Sequence, residues 1–112
     1  MDEFSVSSEL NESVSIVTVT GRVDSVTAAA LDTELTKIVS EHKQIVLDLK
    51  GVDYLSSAGV RAIIKALRSA EKSGGGVKLA HIPNVVAEVL ETVGMMQTLE
   101  VYPSVDEAIA GF

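Results

Sequence analysis

The sequence predicts a single α/β domain over residues 1–112, with a mixed sheet of about five strands and about four helices. Two observations predict this class. A weakly alternating segment at residues 4–9 and a segment rich in β-branched residues at 13–20 follow one another with no helix pattern between them, which favours an antiparallel first pair. Helix and strand patterns then alternate to the end, and strands joined by helical crossovers lie parallel. We therefore expect an antiparallel first pair and parallel strands in the rest of the sheet.

The first two strands are predicted at Phe4–Glu9 and Ser13–Thr20, where apolar and polar residues alternate. Residues 10–12 between them are few and polar enough to form a hairpin turn. Gly21 is expected to end the second strand.

A helix is predicted from Thr27, because the apolar residues that follow recur at the spacing of one helix face. These residues are Ala28, Leu31, Leu35, Ile38 and Val39. Ser25 or Thr27 is the expected N-cap. The segment Gln44–Lys50 then carries three successive aliphatic residues, which is typical of a central strand covered on both faces.

A second helix is predicted after a loop at residues 51–55, with one buried and one exposed face. Its buried stripe comprises Val60, Ile63, Ile64, Leu67 and Ala70. Its exposed positions are Arg61, Lys65, Arg68 and Lys72. The glycines at 74–76 are expected to end this helix.

The last part of the chain predicts two more strands and two more helices. The strands are expected at Val77–Ile82 and Thr98–Tyr102. Asn84 is the expected cap of a third helix that ends near Gly94, and Ser104 is expected to begin a last helical turn or two.

The composition excludes several classes of function. Nine Lys and Arg residues stand against 16 Asp and Glu, a net charge of −7, whereas nucleic acid binding relies on clustered positive charge. The chain has no Cys, which excludes a disulfide framework and a thiolate metal site. The first residues lack the charge and apolar run of a secretory signal, and no apolar run is long enough to span a membrane. We expect a cytoplasmic protein that binds neither nucleic acid nor membrane.

Three loops follow the carboxyl ends of the predicted parallel strands, where binding residues gather in open α/β folds. They span residues 21–27, 50–59 and 81–85. The middle loop runs from a buried strand into the start of a helix. Ser56 is its natural N-cap, which makes Ser57 the first helical residue.

A phosphoryl group on Ser57 would bring negative charge to the positive end of this helix, close to the amides of residues 58–60. The fold would tolerate that charge. A partner docked on the same loop would not, because the charge would enter a desolvated contact. Such a site could act as a switch. The simpler alternative is that the serine pair only caps the helix.

No catalytic or cofactor motif stands out in the sequence. Ser56 and Ser57 lack the Gly-x-Ser-x-Gly elbow of a nucleophilic serine, and the available bases are His42 and His81. The glycine run at 74–76 lacks the Lys-Ser or Lys-Thr of a phosphate loop and follows a helix rather than a strand. No spacing of His or carboxylates suggests a metal site. We expect no enzyme, no cofactor and no metal.

Six segments can be compared with known families. They are Thr20–Asp24, Ile45–Leu49 followed by Val52 and Tyr54, Ser57–Val60, Gly74–Leu79, Leu90–Met95 and Ser104–Ala108. In their order and spacing they resemble the STAS family of bacterial anti-sigma factor antagonists, over nearly the whole chain.

The resemblance implies a module whose unphosphorylated form binds an anti-sigma factor serine kinase and so releases the sigma factor. The ATP is bound by the kinase, and phosphorylation of the module ends the contact. Aligned through Gly59, the family's phosphorylated serine falls on Ser57, with Ser56 as the alternative. The implied docking surface comprises Gly21, Asp24, Ser56, Ser57, Ala58, Gly59 and Arg61.

Several of these residues also have simpler readings. Gly21 could be only a strand end, Asp24 only a helix-capping acid, and Gly59 only an aid to close packing. Met95 and Met96 could fill the core or extend a contact surface.

Two positions depart from the family pattern. The family often has Asp where this chain has Ser56, and Gly or another small residue where it has Arg61. Ser56 could therefore take the phosphate itself, or Arg61 could pair with phosphoserine one helical turn away. The family also includes constitutive subunits of larger signalling or lipid-transport assemblies, which have no phosphoswitch, and this alternative stays open.

Overall fold

The computed structural model describes residues 3–112, which form a five-stranded sheet and four helices. In chain order the elements are β1 (Ser5–Asn11), β2 (Val14–Val23), α1 (Ser25–Glu41), β3 (Gln44–Leu55), α2 (Ser57–Lys72), β4 (Gly76–Ala80), α3 (Asn84–Thr92), β5 (Glu100–Tyr102) and α4 (Val105–Ala110). The strands lie side by side in sequence order. β1 and β2 are antiparallel and all later pairs are parallel, so the predicted fold class is confirmed.

The sheet is covered on both faces. The main core lies between one face of the sheet and α1, α2 and α3, and a smaller core lies beneath α4 on the other face. Ile45 and Leu47 belong to the main core, whereas Val46 packs in the smaller core with Ala108. Because successive side chains of a strand point to opposite faces, three buried aliphatic residues in a row require cover on both sides, as predicted for β3. No helix within residues 3–112 is long and apolar enough to cross a membrane.

The first hairpin turn is shorter than predicted. β1 continues to Asn11, which pairs with Val14, so residues 12 and 13 form the turn instead of residues 10–12. Glu12 has a φ of 58°. Two-residue hairpin turns favour this left-handed conformation, because it matches the twist of the flanking strands.

Both strands that lead towards Ser56 are longer than predicted. Gly21 does not end β2, which continues to Val23, and β3 continues beyond Lys50 to Leu55. Gly21 has a φ of 90°, which glycine adopts without the strain that a side chain would cause. The register of β2 and β3 shifts at this glycine, yet the strands stay paired to their ends. A local sequence pattern cannot reveal this pairing, because it depends on the neighbouring strand.

Two of the predicted helix caps are wrong. The N-cap of α1 is Asp24 and not Ser25 or Thr27, because Asp24 and Thr27 form a reciprocal capping box. Pro83 occupies the N-cap position of α3, and Asn84 is the first helical residue. The fixed φ of proline, here −67°, suits the extended conformation of a helix cap, so this helix begins without a side-chain cap bond.

The strands on the C-terminal side are shorter than predicted. β4 ends at Ala80 because His81 has a φ of 54°, which turns the chain out of the strand. β5 begins at Glu100 rather than Thr98, since it pairs only with residues 78–80.

The second helix follows its predicted pattern with one exception. It ends at Lys72, and Gly74, with a φ of 85°, stops it as expected. Ile64 was predicted to belong to the buried stripe, but it is only half-buried and lines a surface groove.

Candidate functional site

The ends of β2 and β3 lie side by side and place two helix starts next to each other. Arg22 is paired with Tyr54, and Val23 with Leu55. The amide of Ser56 then donates a hydrogen bond of 2.8 Å to the carbonyl of Val23. The N-termini of α1 and α2 therefore lie next to each other at the same edge of the sheet, where β2 and β3 end.

The third loop does not reach this place. β4 ends at Ala80, which pairs with Asp48, and β3 continues from there to Leu55, roughly 20 Å of further strand. The prediction that three loops meet is therefore wrong, and only the loops after β2 and β3 come together. His81 instead lies beside Asp48, with its Nδ1 3.1 Å from the carboxylate.

Ser56 caps α2, as predicted. Its backbone is extended, with a φ of −82° and a ψ of 167°, and its hydroxyl accepts a hydrogen bond of 3.2 Å from the amide of Gly59. Its carbonyl accepts the first helical bond, from Val60. The side chain is half-buried. The hydroxyl oxygen of Ser56 is thus already engaged in the hydrogen bond that caps the helix.

Ser57 is the first residue of α2 and is exposed. Within residues 3–112 its hydroxyl makes no hydrogen bond. It stands at the positive end of the helix dipole, where an anion is favoured. Of the two neighbouring serines, Ser57 has the more accessible hydroxyl.

Two glycines of the predicted docking surface are buried. At Gly59 an added Cβ would lie 2.6 Å from Cδ1 of Leu55 and 2.8 Å from Cγ1 of Val23. At Gly21 it would overlap the carbonyl group of Glu3. Both glycines therefore permit close packing beneath the site, which supports the simpler reading of Gly59.

Asp24 combines a capping role with a position beside Ser56. Its carboxylate accepts hydrogen bonds of 2.9 Å from the amides of Val26 and Thr27. The bond from the Thr27 amide is the main cause that lowers the pKa of Asp24, and the Arg22 side chain, 3.6 Å away, acts in the same direction. Arg22 also stacks on Tyr54, with its Cζ 4.1 Å from the ring centre.

Ala58 and Arg61 line a small cleft between α1 and α2, with a volume of about 270 Å³. The facing wall on α1 is formed by the small residues Ser25, Ala28 and Ala29 and by Asp32. Asp32 and Lys65 form an ion pair of 3.3 Å across the cleft. Within residues 3–112 no carboxylate pairs with Arg61, which is exposed one helical turn after Ser57. Of the predicted docking residues, Ser57 and Arg61 are exposed, whereas Asp24, Ser56 and Ala58 are half-buried.

Residues 5–108 match the family model of the STAS domain. The chain belongs to the STAS domain family.

Three relatives of this STAS domain carry the name of an anti-sigma factor antagonist. BtrV of Bordetella bronchiseptica, which carries the name of an anti-sigma factor antagonist, is 33% identical over 82% of this chain and 80% of its own length. The anti-sigma-F factor antagonist RsfB of Mycobacterium tuberculosis is 25% identical over 98% of this chain and 90% of its own length. The crystal structure of an anti-sigma factor antagonist from Mycobacterium paratuberculosis superposes with a TM-score of 0.85, at 26% identity, over 97% of this chain and 93% of that one.

Membership settles the broad class of activity. Anti-sigma factor antagonists are binding proteins and not enzymes, and an anti-sigma factor is the partner that their name implies. This STAS domain is accordingly a binding protein.

The stacked pair of Arg22 and Tyr54 beside the site was not predicted from the sequence. Its only sequence signal is that each residue lies near the end of one of two neighbouring strands, and the bulged register that brings them together is not visible locally. The apolar lining that Ile64 gives to a groove along α2 was not predicted either.

Proposed function

We propose that this STAS domain is an anti-sigma factor antagonist controlled by phosphorylation of Ser57. In its unphosphorylated form it binds an anti-sigma factor serine kinase, and the sigma factor is released. The kinase carries the ATP and transfers a phosphoryl group to Ser57, which ends the contact. The observation that carries the proposal is the difference between the two serines: the oxygen of Ser56 is held by Gly59, whereas Ser57 is exposed at the helix start.

The fold can accept a phosphoryl group at this position. The side chain of Ser57 is exposed, so modification does not disturb the core. The amides of the first helical turn and the positive dipole end favour the new charge. Arg61, one turn further along α2, can pair with the phosphate through charge-assisted hydrogen bonds.

A docked partner is expected to respond differently. The surface around Ser57 includes Ala58 and a cleft whose α1 wall contains the small residues Ser25, Ala28 and Ala29, so a partner can approach closely. A phosphoryl group with nearly two negative charges would then be desolvated in the contact and would meet any carboxylate of the partner with repulsion. The same modification is therefore compatible with the fold and incompatible with the complex.

The names of the relatives support the class of partner. BtrV and RsfB are both described as anti-sigma factor antagonists, and RsfB is described as acting on an anti-sigma-F factor. We extend to this chain only that class of partner, an anti-sigma factor. The serine kinase activity of this factor belongs to our proposal.

Incubation of the purified chain with its anti-sigma factor kinase and Mg-ATP tests the proposal. Intact-mass and peptide mass spectrometry should find one phosphate, on Ser57. The Ser57→Ala variant should stay unmodified but still bind the kinase, and the Ser56→Ala variant should still be modified. Absence of phosphate, together with unchanged assembly of a Ser57→Asp variant, would instead identify a constitutive subunit of the same fold.

A further inference from the structure

A second surface begins at Ser57 and extends along α2 to Lys72. It is a groove of about 730 Å³ between α2 and the segment that follows α3, and we call it the α2 groove. Its residues are Ser57, Val60, Arg61, Ile64, Lys65, Arg68, Ser69, Lys72, Val93 and Met95. Its volume exceeds that of the cleft between α1 and α2, which is about 270 Å³.

The lining of the α2 groove contains apolar side chains that are covered only in part. Ile64 and Met95 are half-buried, and Val93 is 43% exposed. Contiguous exposed apolar surface of this kind, bordered by polar residues, marks interaction sites in soluble proteins.

The charge of the α2 groove is opposite to that of the chain. Arg61, Lys65, Arg68 and Lys72 all line it, which leaves five of the nine basic residues for the rest of a chain that has 16 acidic ones. Lys65 is paired with Asp32 at 3.3 Å. For the other three cations no ion pair occurs within residues 3–112. The groove therefore presents unneutralised positive charge beside apolar surface.

We propose that the α2 groove binds an acidic amphipathic helix of a partner protein. Such a helix would place its apolar stripe on Ile64, Val93 and Met95, and its flanking carboxylates beside Arg68 and Lys72. Helix-in-groove binding uses this combination of a narrow apolar stripe and charged margins. Opposite charge on the two surfaces adds specificity and a faster association.

A second copy of this chain does not fit the α2 groove. A twofold contact is formed by the same patch on both copies, so the four cations would face the same four cations. A contact between this groove and an acidic surface elsewhere on another copy would not close and would produce open chains. A membrane surface fits less well than a helix, because the cations are distributed along the full length of a concave groove.

This inference goes beyond the proposed phosphoswitch and does not depend on it. Arg68 and Lys72 lie 11 and 15 residues after Ser57, which is about 16 and 22 Å along the helix. Charge reversal at these two positions leaves the modification site intact. The two proposals can therefore fail separately.

The test uses a synthetic fluorescent peptide of about 16 residues, with Leu at helical i, i+3, i+4 and i+7 spacing and Glu on both flanks. Anisotropy titrations at about 0.1 M salt compare the wild type with the double variant R68E/K72E. The control double variant, K37E/K43E, changes the net charge by the same amount at exposed positions outside the groove. We expect R68E/K72E to weaken binding by at least about tenfold and K37E/K43E by less than about twofold.

Two further arms test the apolar part and the class of ligand. The double variant I64A/V93A, and a peptide of the same composition with its Leu residues spread around the helix, should each weaken binding by at least about fivefold. Equal loss in both charge-reversal variants, or equal binding of the two peptides, would overturn the proposal. Tighter binding to vesicles of phosphatidylcholine and phosphatidylglycerol, or to single-stranded DNA, that is lost in R68E/K72E would also overturn it. Peptide binding that persists when Ser57 proves not to be phosphorylated would leave this inference standing.

Discussion

The amide of Ser56 is 2.8 Å from the carbonyl oxygen of Val23, and this hydrogen bond joins the last residue before α2 to the end of β2. It holds the start of α2 against the start of α1, which Asp24 caps. It also fixes the backbone of Ser56 in the extended conformation that an N-cap needs. The next residue, Ser57, is therefore presented at a defined and exposed place, although neither strand alone would position it.

A negative charge introduced at Ser57 should weaken binding of the partner more than a negative charge at an exposed position outside the site. We expect Ser57→Asp to weaken binding of the anti-sigma factor kinase by at least about tenfold, because a carboxylate would be desolvated in the contact. Ser57→Ala should bind as the wild type does. Ser7→Asp, at an exposed position on β1, is the control with the same charge. Isothermal titration calorimetry measures all three, and equal affinity of the two acidic variants would contradict the prediction.

Replacing Ser56 and replacing Ser57 by alanine should have different effects on the stability of the fold. Ser56→Ala removes the cap bond to Gly59 and should lower the free energy of unfolding by about 1 kcal/mol. Ser57→Ala should change it by less than about 0.5 kcal/mol, because the side chain is exposed. Urea denaturation followed by circular dichroism gives both values. A larger loss for Ser57→Ala than for Ser56→Ala would show that the cap has been assigned to the wrong serine.

Gly21 and Gly74 have similar backbone conformations but different surroundings, so alanine substitutions at the two positions separate the effect of packing on stability from that of backbone strain. Their φ angles are 90° and 85°, but an added Cβ at Gly21 would overlap the carbonyl group of Glu3, whereas at Gly74 nothing lies within 4 Å. We expect Gly74→Ala to lower the free energy of unfolding by about 1 kcal/mol through backbone strain alone. Gly21→Ala should cost about 2–3 kcal/mol, because the overlap with backbone is added. Equal losses in urea denaturation would argue against close packing of the N-terminal segment on β2.

The capping carboxylate of Asp24 should make the stability of the fold depend on pH in acid solution. Its pKa is lowered from 3.8, mainly by the bond from the Thr27 amide, so its ionised form stabilises the fold above that pH. This stabilisation is lost as the pH falls through the lower pKa of the folded state. Asp24→Asn keeps a capping oxygen but cannot titrate. The difference in melting temperature between wild type and Asp24→Asn should be constant above about pH 5 and shrink in more acid solution.

Asp32→Asn is the control for this measurement, because Asp32 is exposed in part and pairs with Lys65 at the surface. A pH profile of Asp24→Asn that parallels the wild type throughout would show that the carboxylate of Asp24 is not coupled to folding.

The sequence predicted those parts of the site that depend on local chemistry. A serine before an apolar helix pattern is enough to predict the cap at Ser56, and three successive aliphatic residues are enough to predict the central strand β3. The local sequence does not decide the cap of α1, because the acid at 24 and the hydroxyls at 25 and 27 are all suitable side chains. The reciprocal bonds between Asp24 and Thr27 decide it.

The features that could not be predicted depend on contacts between distant segments. Gly21 is a typical strand end in a sequence, yet β2 continues through it because β3 offers partners as far as Leu55. Ile64 has the spacing of a core residue, yet the segment after α3 leaves it at the edge of the α2 groove. Both outcomes are set by tertiary packing, which overrides local preference.

Lys78 is nearly buried, with a side chain that is 6% exposed, and it ties the end of the chain to β4. Its Nζ donates a hydrogen bond of 2.7 Å to the Glu100 carboxylate and lies 5.3 Å and 4.8 Å from the ring centres of Tyr102 and Phe112. Burial disfavours the charged ammonium, but the bond to Glu100, together with the neighbouring Tyr102, outweighs it and raises the pKa of Lys78. The bond from Lys78 lowers the pKa of Glu100.

Replacing Glu100 by Gln should therefore destabilise the fold although Glu100 is exposed. We expect a loss of about 0.5–1 kcal/mol, a figure reduced for screening by solvent, because the ammonium of Lys78 keeps its burial and loses its charged partner. Glu34→Gln, at an exposed position of α1, should cost less than about 0.5 kcal/mol. The contribution of Glu100 is present above the ordinary pKa of 4.5 and is lost as the pH falls through its lower folded value, so the two variants should converge in acid. Equal stability of Glu100→Gln and Glu34→Gln at neutral pH would mean that the rings of Tyr102 and Phe112, and not the carboxylate, hold Lys78 in place.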